Sequence, residues 1–319
     1  MSPHLFTSHR LNNLFQTMAL MGALIGLLCL LGWLIAGVYG ILWALVVGVI
    51  PLIVTFRIFP ALTLKMFGAK PLDPCDAPKL HAILQELSRR ARLPAVPRLH
   101  YIPSNAAVVF SIGHGATAVI SVSDGILRLL TLRELIAVFA HEVSHIYNKD
   151  TWVMSFADVV SRVTHTISLF GQILILVNLP LMIMGEHPLP WIPLILMLIA
   201  PLLSALLQLA LSRTREYNAD LYAVRLAGDP DGLASALAKM EGHQRKIEQG
   251  KLPGRAKADP SLLRTHPPTE ERIRRLRGLA AELDVLYPNF NHSSEREELP
   301  SRFPPVKQKP RRRLTGLWH

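Results

Sequence analysis

From Leu11 to Phe56 the chain carries no charged residue, and no soluble fold of ordinary size buries so long an uncharged, predominantly apolar segment. Its length suits two membrane spans, Phe15–Ala36 and Tyr39–Phe56, joined by a tight turn. Two further apolar segments, Val163–Gly185 and Pro188–Leu211, have the same approximate length, each near the ~20 residues that cross a hydrocarbon core. The second span follows the first at once, without a convincing small-residue cleavage site, which argues against a cleaved signal peptide. A chain of 319 residues with 50 % hydrophobic and only 18 % charged residues fits this reading. It predicts an α+β, mainly helical integral membrane protein with four transmembrane helices in two hairpins. The second hairpin could also lie partly against the rest of the chain.

Basic residues orient these spans. The turns near Gly37–Tyr39 and Gly185–Pro190 contain no Lys or Arg, whereas Arg10, Arg57, Lys65, Lys149, Arg162, Arg213 and Arg215 flank the spans. The positive-inside rule then places both termini and the segment between the hairpins in the cytoplasm, at a cell (inner) membrane. A net charge of +11 suits a domain held against an anionic leaflet, and no nucleic-acid-binding module is present. Cys29 falls in a span and Cys75 in the cytoplasmic part, so a disulfide between them is not expected.

The polar segments read as follows. Asp76 is a candidate N-cap for a helix whose apolar face is Leu80, Ile83, Leu84 and Leu87. Strands are predicted at Arg98–Pro103, Ala106–Gly113 and Ala118–Ser123, giving a small sheet. Thr131 and Glu134 form a capping box for a helix running through "HEVSHIYN". Further helices start near Pro230 and Thr269, and "DPDG" at Asp229–Gly232 reads as a helix start. The resulting domains are 1–58 (first hairpin), 59–162, 163–211 (second hairpin), 212–288, and a basic tail over 289–319, expected to be disordered.

"HEVSH" is the strongest chemical signal. His141 and His145 are four residues apart on one helical face, so both imidazoles can reach a single metal ion. Glu142 lies beside the first ligand, placed to act as a general base. If the three residues were only core packing, Glu142 would be buried without a partner at several kcal/mol, so that reading is poor. A zinc site needs a third protein ligand, and Glu216, Asp220, His165, His187, His243 and His266 are candidates. His165 and His187 fall in or beside the second hairpin. Glu216 opens a segment emerging from that hairpin on the motif's side, and Asp220 follows four residues later on the same face. The pair could divide the work, with Glu216 binding metal and Asp220 orienting a ligand imidazole. Arg213 and Arg215 read as snorkelling anchors at the end of a span.

"HEVSHIYNKD", a hydrophobic hairpin, "SRTREYNAD" and "THPPTEERI", in that order, resemble the HtpX family of membrane-bound zinc metalloproteases. These are bacterial and archaeal relatives of the eukaryotic CAAX prenyl endopeptidase. "GAKPLD", "SNAAVVFSIG" and the segment leading into the HExxH helix extend the likeness to about Pro288. The resemblance implies a zincin-like cytoplasmic protease domain with one Zn2+ bound by His141, His145 and Glu216, with Asp220 behind them. It also implies that His266 stabilises the oxyanion; the residues themselves equally allow a linker histidine. Misfolded membrane proteins are the implied polypeptide substrates. An extended substrate is expected to pair with an edge strand entered through Asn105, Ala106, Ala107 and Val108. The family usually has an aromatic residue where Ala107 stands, which bears on side-chain preference and not on backbone pairing. His114 reads as a turn residue. A prenylprotein-processing endopeptidase is disfavoured by chain length, and an inactive zinc-binding scaffold by the presence of every expected catalytic residue.

Overall fold

The computed structural model describes residues 3–185, 191–249 and 268–286. Thirteen elements follow in order: α1 (Pro3–Met66), β1 (Lys70–Pro71), α2 (Pro78–Arg90), β2 (Arg98–Ile102), β3 (Val109–Ile112), a 3-10 turn (Gly115–Thr117), β4 (Val119–Ser123), α3 (Asp124–Leu129), α4 (Leu132–Tyr147), α5 (Asp150–Ile183), α6 (Trp191–Ala227), α7 (Pro230–Gln249) and α8 (Thr269–Leu286). They form two compact units, one built on 59–152 and 215 onward, the other on 2–58 and 153–214.

The second unit is apolar. Its first helix is broken at Ala36–Gly37, where Gly37 takes φ 58°, a conformation open mainly to glycine. The two arms meet at Gly32 and Gly40: a Cβ on Gly32 would stand 2.6 Å from the Gly40 carbonyl oxygen. Leu24, Leu28 and Ala44 then share a core with Val160 and Val163 of α5 and Leu211 of α6. Helices α5 and α6 are also joined by polar contacts, Ser204 Oγ to Ser161 Oγ at 3.0 Å and Ser168 Oγ donating to the Met197 carbonyl. Among the described residues, two helices are long and apolar enough to cross a membrane, Leu14–Met66 and Ile192–Ala227, and only 22 % of an 18-residue apolar stretch in each is buried within the molecule. Helices apolar on all sides yet uncovered by protein, with Trp43, Ile50, Ile192 and Leu198 exposed, have lipid as their physical solvent.

The polar unit is built on a four-stranded mixed sheet in the order β1-β2-β4-β3. Strands β2 and β4 run parallel, and β3 pairs antiparallel with β4, leaving β3 at the edge among the described residues. Leu99, Ile120 and Val122 of the sheet pack with Leu80 and Leu84 of α2 and with Leu135, Val138, Phe139 and Val143 of α4. Glu134 anchors α4 twice. It closes the predicted capping box with Thr131, and it accepts bonds from Ser235 Oγ (2.6 Å) and Lys239 Nζ (2.8 Å) of α7. Asp229 heads α7 as expected, accepting from the Gly232 amide at 2.8 Å and pairing with Arg133.

Several local expectations need correction. Helix α2 starts at Pro78, not after Asp76. Proline fits the first helical position, and the Asp76 and Ala77 amides turn back onto the Asp73 carbonyl. Strand β3 begins at Val109, because the Ser123 hydroxyl bridges the Val108 amide (3.0 Å) and the Ala106 carbonyl (2.6 Å), drawing this stretch off the regular ladder. Strand β1 and helix α3 were not foreseen, being two and six residues long. The apolar segment and "SRTREYNAD" form one unbroken helix, α6, so Glu216 lies in mid-helix.

Candidate active site

Helix α4 supplies His141, Glu142 and His145, all facing inward and 8 %, 6 % and part exposed respectively. The two Nε2 atoms are 3.0 Å apart. Glu216 of α6 completes a triangle, its Oε2 lying 3.6 Å from His141 Nε2 and its Oε1 3.9 Å from His145 Nε2. Tetrahedral zinc with bonds of ~2.0–2.1 Å holds its ligands about 3.3–3.4 Å apart. The observed separations bracket that figure, so these three side chains fit a single ion, and they form the metal-competent group of the described residues.

Behind each imidazole stands a carboxylate. His141 Nδ1 is 3.0 Å from Asp220 Oδ1, a close ionic contact without the alignment of a full hydrogen bond. His145 Nδ1 is 2.7 Å from Asp150 Oδ2. Each carboxylate in turn meets a buried guanidinium. Arg272 of α8 grips Asp220 through Nε (2.8 Å) and Nη2 (2.6 Å), and reaches Glu216 Oε2 with Nη1 at 2.9 Å. Arg215 pairs with Asp150 and donates Nη2 to the Asn148 carbonyl at 2.8 Å. Holding the second nitrogen of a ligand histidine fixes its tautomer and aims the Nε2 lone pair.

Charge counting supports the same conclusion. Glu142, Asp150, Glu216 and Asp220 are four buried carboxylates, matched by two buried guanidiniums, Arg215 and Arg272. With neutral imidazoles the cluster lacks two positive charges, which a divalent cation supplies. Without the ion the deficit shows in the histidines. Burial would push His141 down, but the carboxylates of Asp220 and Glu216 outweigh it and raise its pKa to about 9. His145 is lowered to about 4 by burial and by the positive charge on His141. With the two rings in contact, the protons of the pair are coupled and titrate as a unit.

The structure thus brings His141, Glu142, His145, Glu216 and Asp220 together. His243 stands apart, its Nε2 at 3.0 Å from the Asn105 carbonyl oxygen. His165 lies in the apolar unit, on α5. His114 sits in the turn before the Gly115–Thr117 segment, as read. His266 and His187 lie outside the described residues. Asn105 to Val108 precede the edge strand, with Gly125 packed so closely that a Cβ there would meet the Asn105 and Ala106 carbonyl oxygens. Arg215 is a correction: at 8 % exposure and engaged with Asp150, it is a buried partner of the site and no snorkelling anchor.

Asp150 and Arg272 were missed by sequence reasoning. Asp150 gave a faint signal, as an acid following the HExxH helix. Arg272 gave a better one, because it falls in line with Leu276 and Ala280 on the buried face of α8, where a charge needs a partner.

Residues 74–280 match peptidase family M48. The chain is 34 % identical to the Protease HtpX homolog of Pyrococcus abyssi (strain GE5 / Orsay) over 292 residues, 85 % of this chain and 98 % of that one. It is 35 % identical to the Protease HtpX homolog of Salinibacter ruber (strain DSM 13855 / M31), covering 84 % of this chain and 98 % of the relative. Among solved structures it is similar to the crystal structure of S. mikatae Ste24p, at 20 % identity and a TM-score of 0.48, over 85 % of this chain and 67 % of that one. With an HExxH helix, a carboxylate placed where a metal could meet both histidines and long apolar helices in one chain, it belongs to peptidase family M48, as a membrane-associated metalloprotease of the HtpX type.

Proposed function

We propose that the metal is zinc, held by His141, His145 and Glu216, and that the protein is an endopeptidase anchored by two hairpins with its polar unit and both termini in the cytoplasm. The observation that carries this reading is the Nε2–Nε2–carboxylate triangle with Glu142 adjacent on the same helix. Zinc held there would supply Lewis acidity toward the scissile carbonyl and a water. Glu142 is placed to take a proton from the attacking water and return it to the leaving amine. Its nearness is felt electrostatically by both His145 and Arg272. Asp220 and Asp150 keep the ligand rings aimed, and Arg272 neutralises Asp220 and Glu216. His266 is assigned the oxyanion role on the resemblance alone.

Substrate would lie along β3. The Ser123 amide donates to the Val108 carbonyl at 3.0 Å, which sets the alternation of the ladder. The backbone groups of Val109 and Ser111 therefore point to the open edge, where an extended peptide can pair with them. Asn105 to Val108 form the entry to that edge. Pairing through backbone groups recognises extended, unfolded polypeptide rather than one sequence, which suits damaged or misfolded membrane proteins as substrates.

The test uses the full-length protein purified in detergent, with zinc and an unfolded casein substrate, wild type beside Glu142→Ala. Cleavage should be lost in the variant while zinc is retained. A variant that cleaves as fast as wild type sinks the mechanism, and a Glu216→Ala protein with full zinc occupancy sinks the ligand assignment.

A further inference from the structure

Between α4 and α5 the chain turns over three residues that one guanidinium holds from two sides. Asn148 ends α4, Lys149 takes φ 55°, unusual for a residue other than glycine, and Asp150 starts α5. Arg215 donates to the Asn148 carbonyl at 2.8 Å and also contacts Asp150 Oδ1. The other oxygen of the same carboxylate, Oδ2, lies 2.7 Å from His145 Nδ1. Asp150 is 3 % exposed and Arg215 8 %, so neither carries out a surface role. Arg215 also immediately precedes Glu216 on α6.

We propose that Asp150 and Arg215 are a positioning pair for the metal centre: Asp150 fixes the tautomer and angle of His145, and Arg215 fixes Asp150 while tying its turn to the helix that carries Glu216. The proposal rests on the assignment of His145 and Glu216 as metal ligands. Asp150 accepts the Nδ1 proton of His145, so the Nε2 lone pair faces the metal. The left-handed residue Lys149 folds the acid back onto an imidazole five positions earlier, a conformation held by the two Arg215 contacts. One arginine thereby sets both how His145 points and how far the α6 backbone stands from it, a distance that Glu216 must span. The site then carries two relays of the same kind, His141–Asp220–Arg272 and His145–Asp150–Arg215, one leading to α8 and the other, through the start of α5, to α6.

The experiment takes full-length protein in detergent, with Asp150→Asn, Arg215→Gln and the milder Arg215→Lys, each isolated as the folded fraction by size exclusion. Zinc dissociation constants are read by competition with a chromophoric chelator, and the visible ligand-field spectrum is recorded after cobalt substitution. Arg133→Gln, which breaks the ion pair to Asp229, serves as a purely structural control. Asp150→Asn and Arg215→Gln should weaken zinc binding roughly 10–100-fold and shift the cobalt bands. Arg215→Lys, which keeps the charge but cannot make both contacts alike, should fall between them and wild type. The control should lower the melting temperature and leave the cobalt spectrum unchanged. Wild-type zinc affinity and cobalt spectra in both Asp150→Asn and Arg215→Gln would overturn the proposal, even if both proteins were less stable. Failure of the wild type itself to bind zinc or cobalt would remove the underlying ligand assignment, and the proposal with it.

Discussion

The Nε2 atoms of His141 and His145 lie 3.0 Å apart, pointing at each other across one turn of α4. At that distance the two nitrogens need a shared proton or a cation between them. The carboxylates of Asp220 and Glu216 favour the proton on His141, raising its pKa to about 9 against the opposing effect of burial.

Zinc binding at this pair should displace that proton. A group with a raised pKa is protonated throughout the range below it, so the apparent zinc affinity should rise about tenfold per pH unit from pH 7 to 9 and level off above. About one proton should be released per zinc bound near pH 7.5. Calorimetry in buffers of different ionisation enthalpy measures that number, and a value near zero would show that His141 is neutral in the metal-free protein.

Replacing Glu142 with Gln keeps the volume and removes the proposed base. Zinc stoichiometry and melting temperature should stay close to wild type, while kcat on unfolded casein falls by roughly 10²–10⁴-fold. Equal losses in metal content and activity would instead make Glu142 a structural residue of the site.

Arg272 neutralises two buried carboxylates at once, contacting Asp220 and Glu216. Arg272→Gln should therefore destabilise the metal-free protein by about 3–5 kcal/mol, the usual cost of leaving buried charge without its partner. Saturating zinc should raise the melting temperature more in the variant than in wild type, since the ion then faces a larger uncompensated negative charge. Thermal scans of both proteins with zinc and with chelator decide the matter.

Gly125 tests the edge strand without touching the metal. Any Cβ at this position would press on the carbonyls of Asn105 and Ala106, so Gly125→Ala should displace the segment that enters β3. The expected result is a raised KM with zinc content unchanged. An unaltered KM would show that substrate does not use that edge.

Much of this protein is legible in its local sequence patterns. The capping box of Thr131 and Glu134, the i, i+4 imidazoles and the uncharged run from Leu11 are local patterns, and helix geometry or bilayer thickness turns each directly into structure. Glu216 could be proposed because only a few acids lie at the emergence of the second hairpin. The strand bounds were less legible: one serine hydroxyl, that of Ser123, took the hydrogen bonds that alternation had allotted to the ladder.

Local spacing is enough to put two histidines and a glutamate on one helix and to place long apolar helices beside them. Which charges serve those residues follows from packing alone. Arg272 is 131 residues from His141, and Arg215 is 65 from Asp150. An arginine on a polar helix is solvated by default, and in linear sequence nothing separates it from its neighbours. It becomes part of an active site only when packing removes water from both it and a carboxylate and leaves each as the other's best partner.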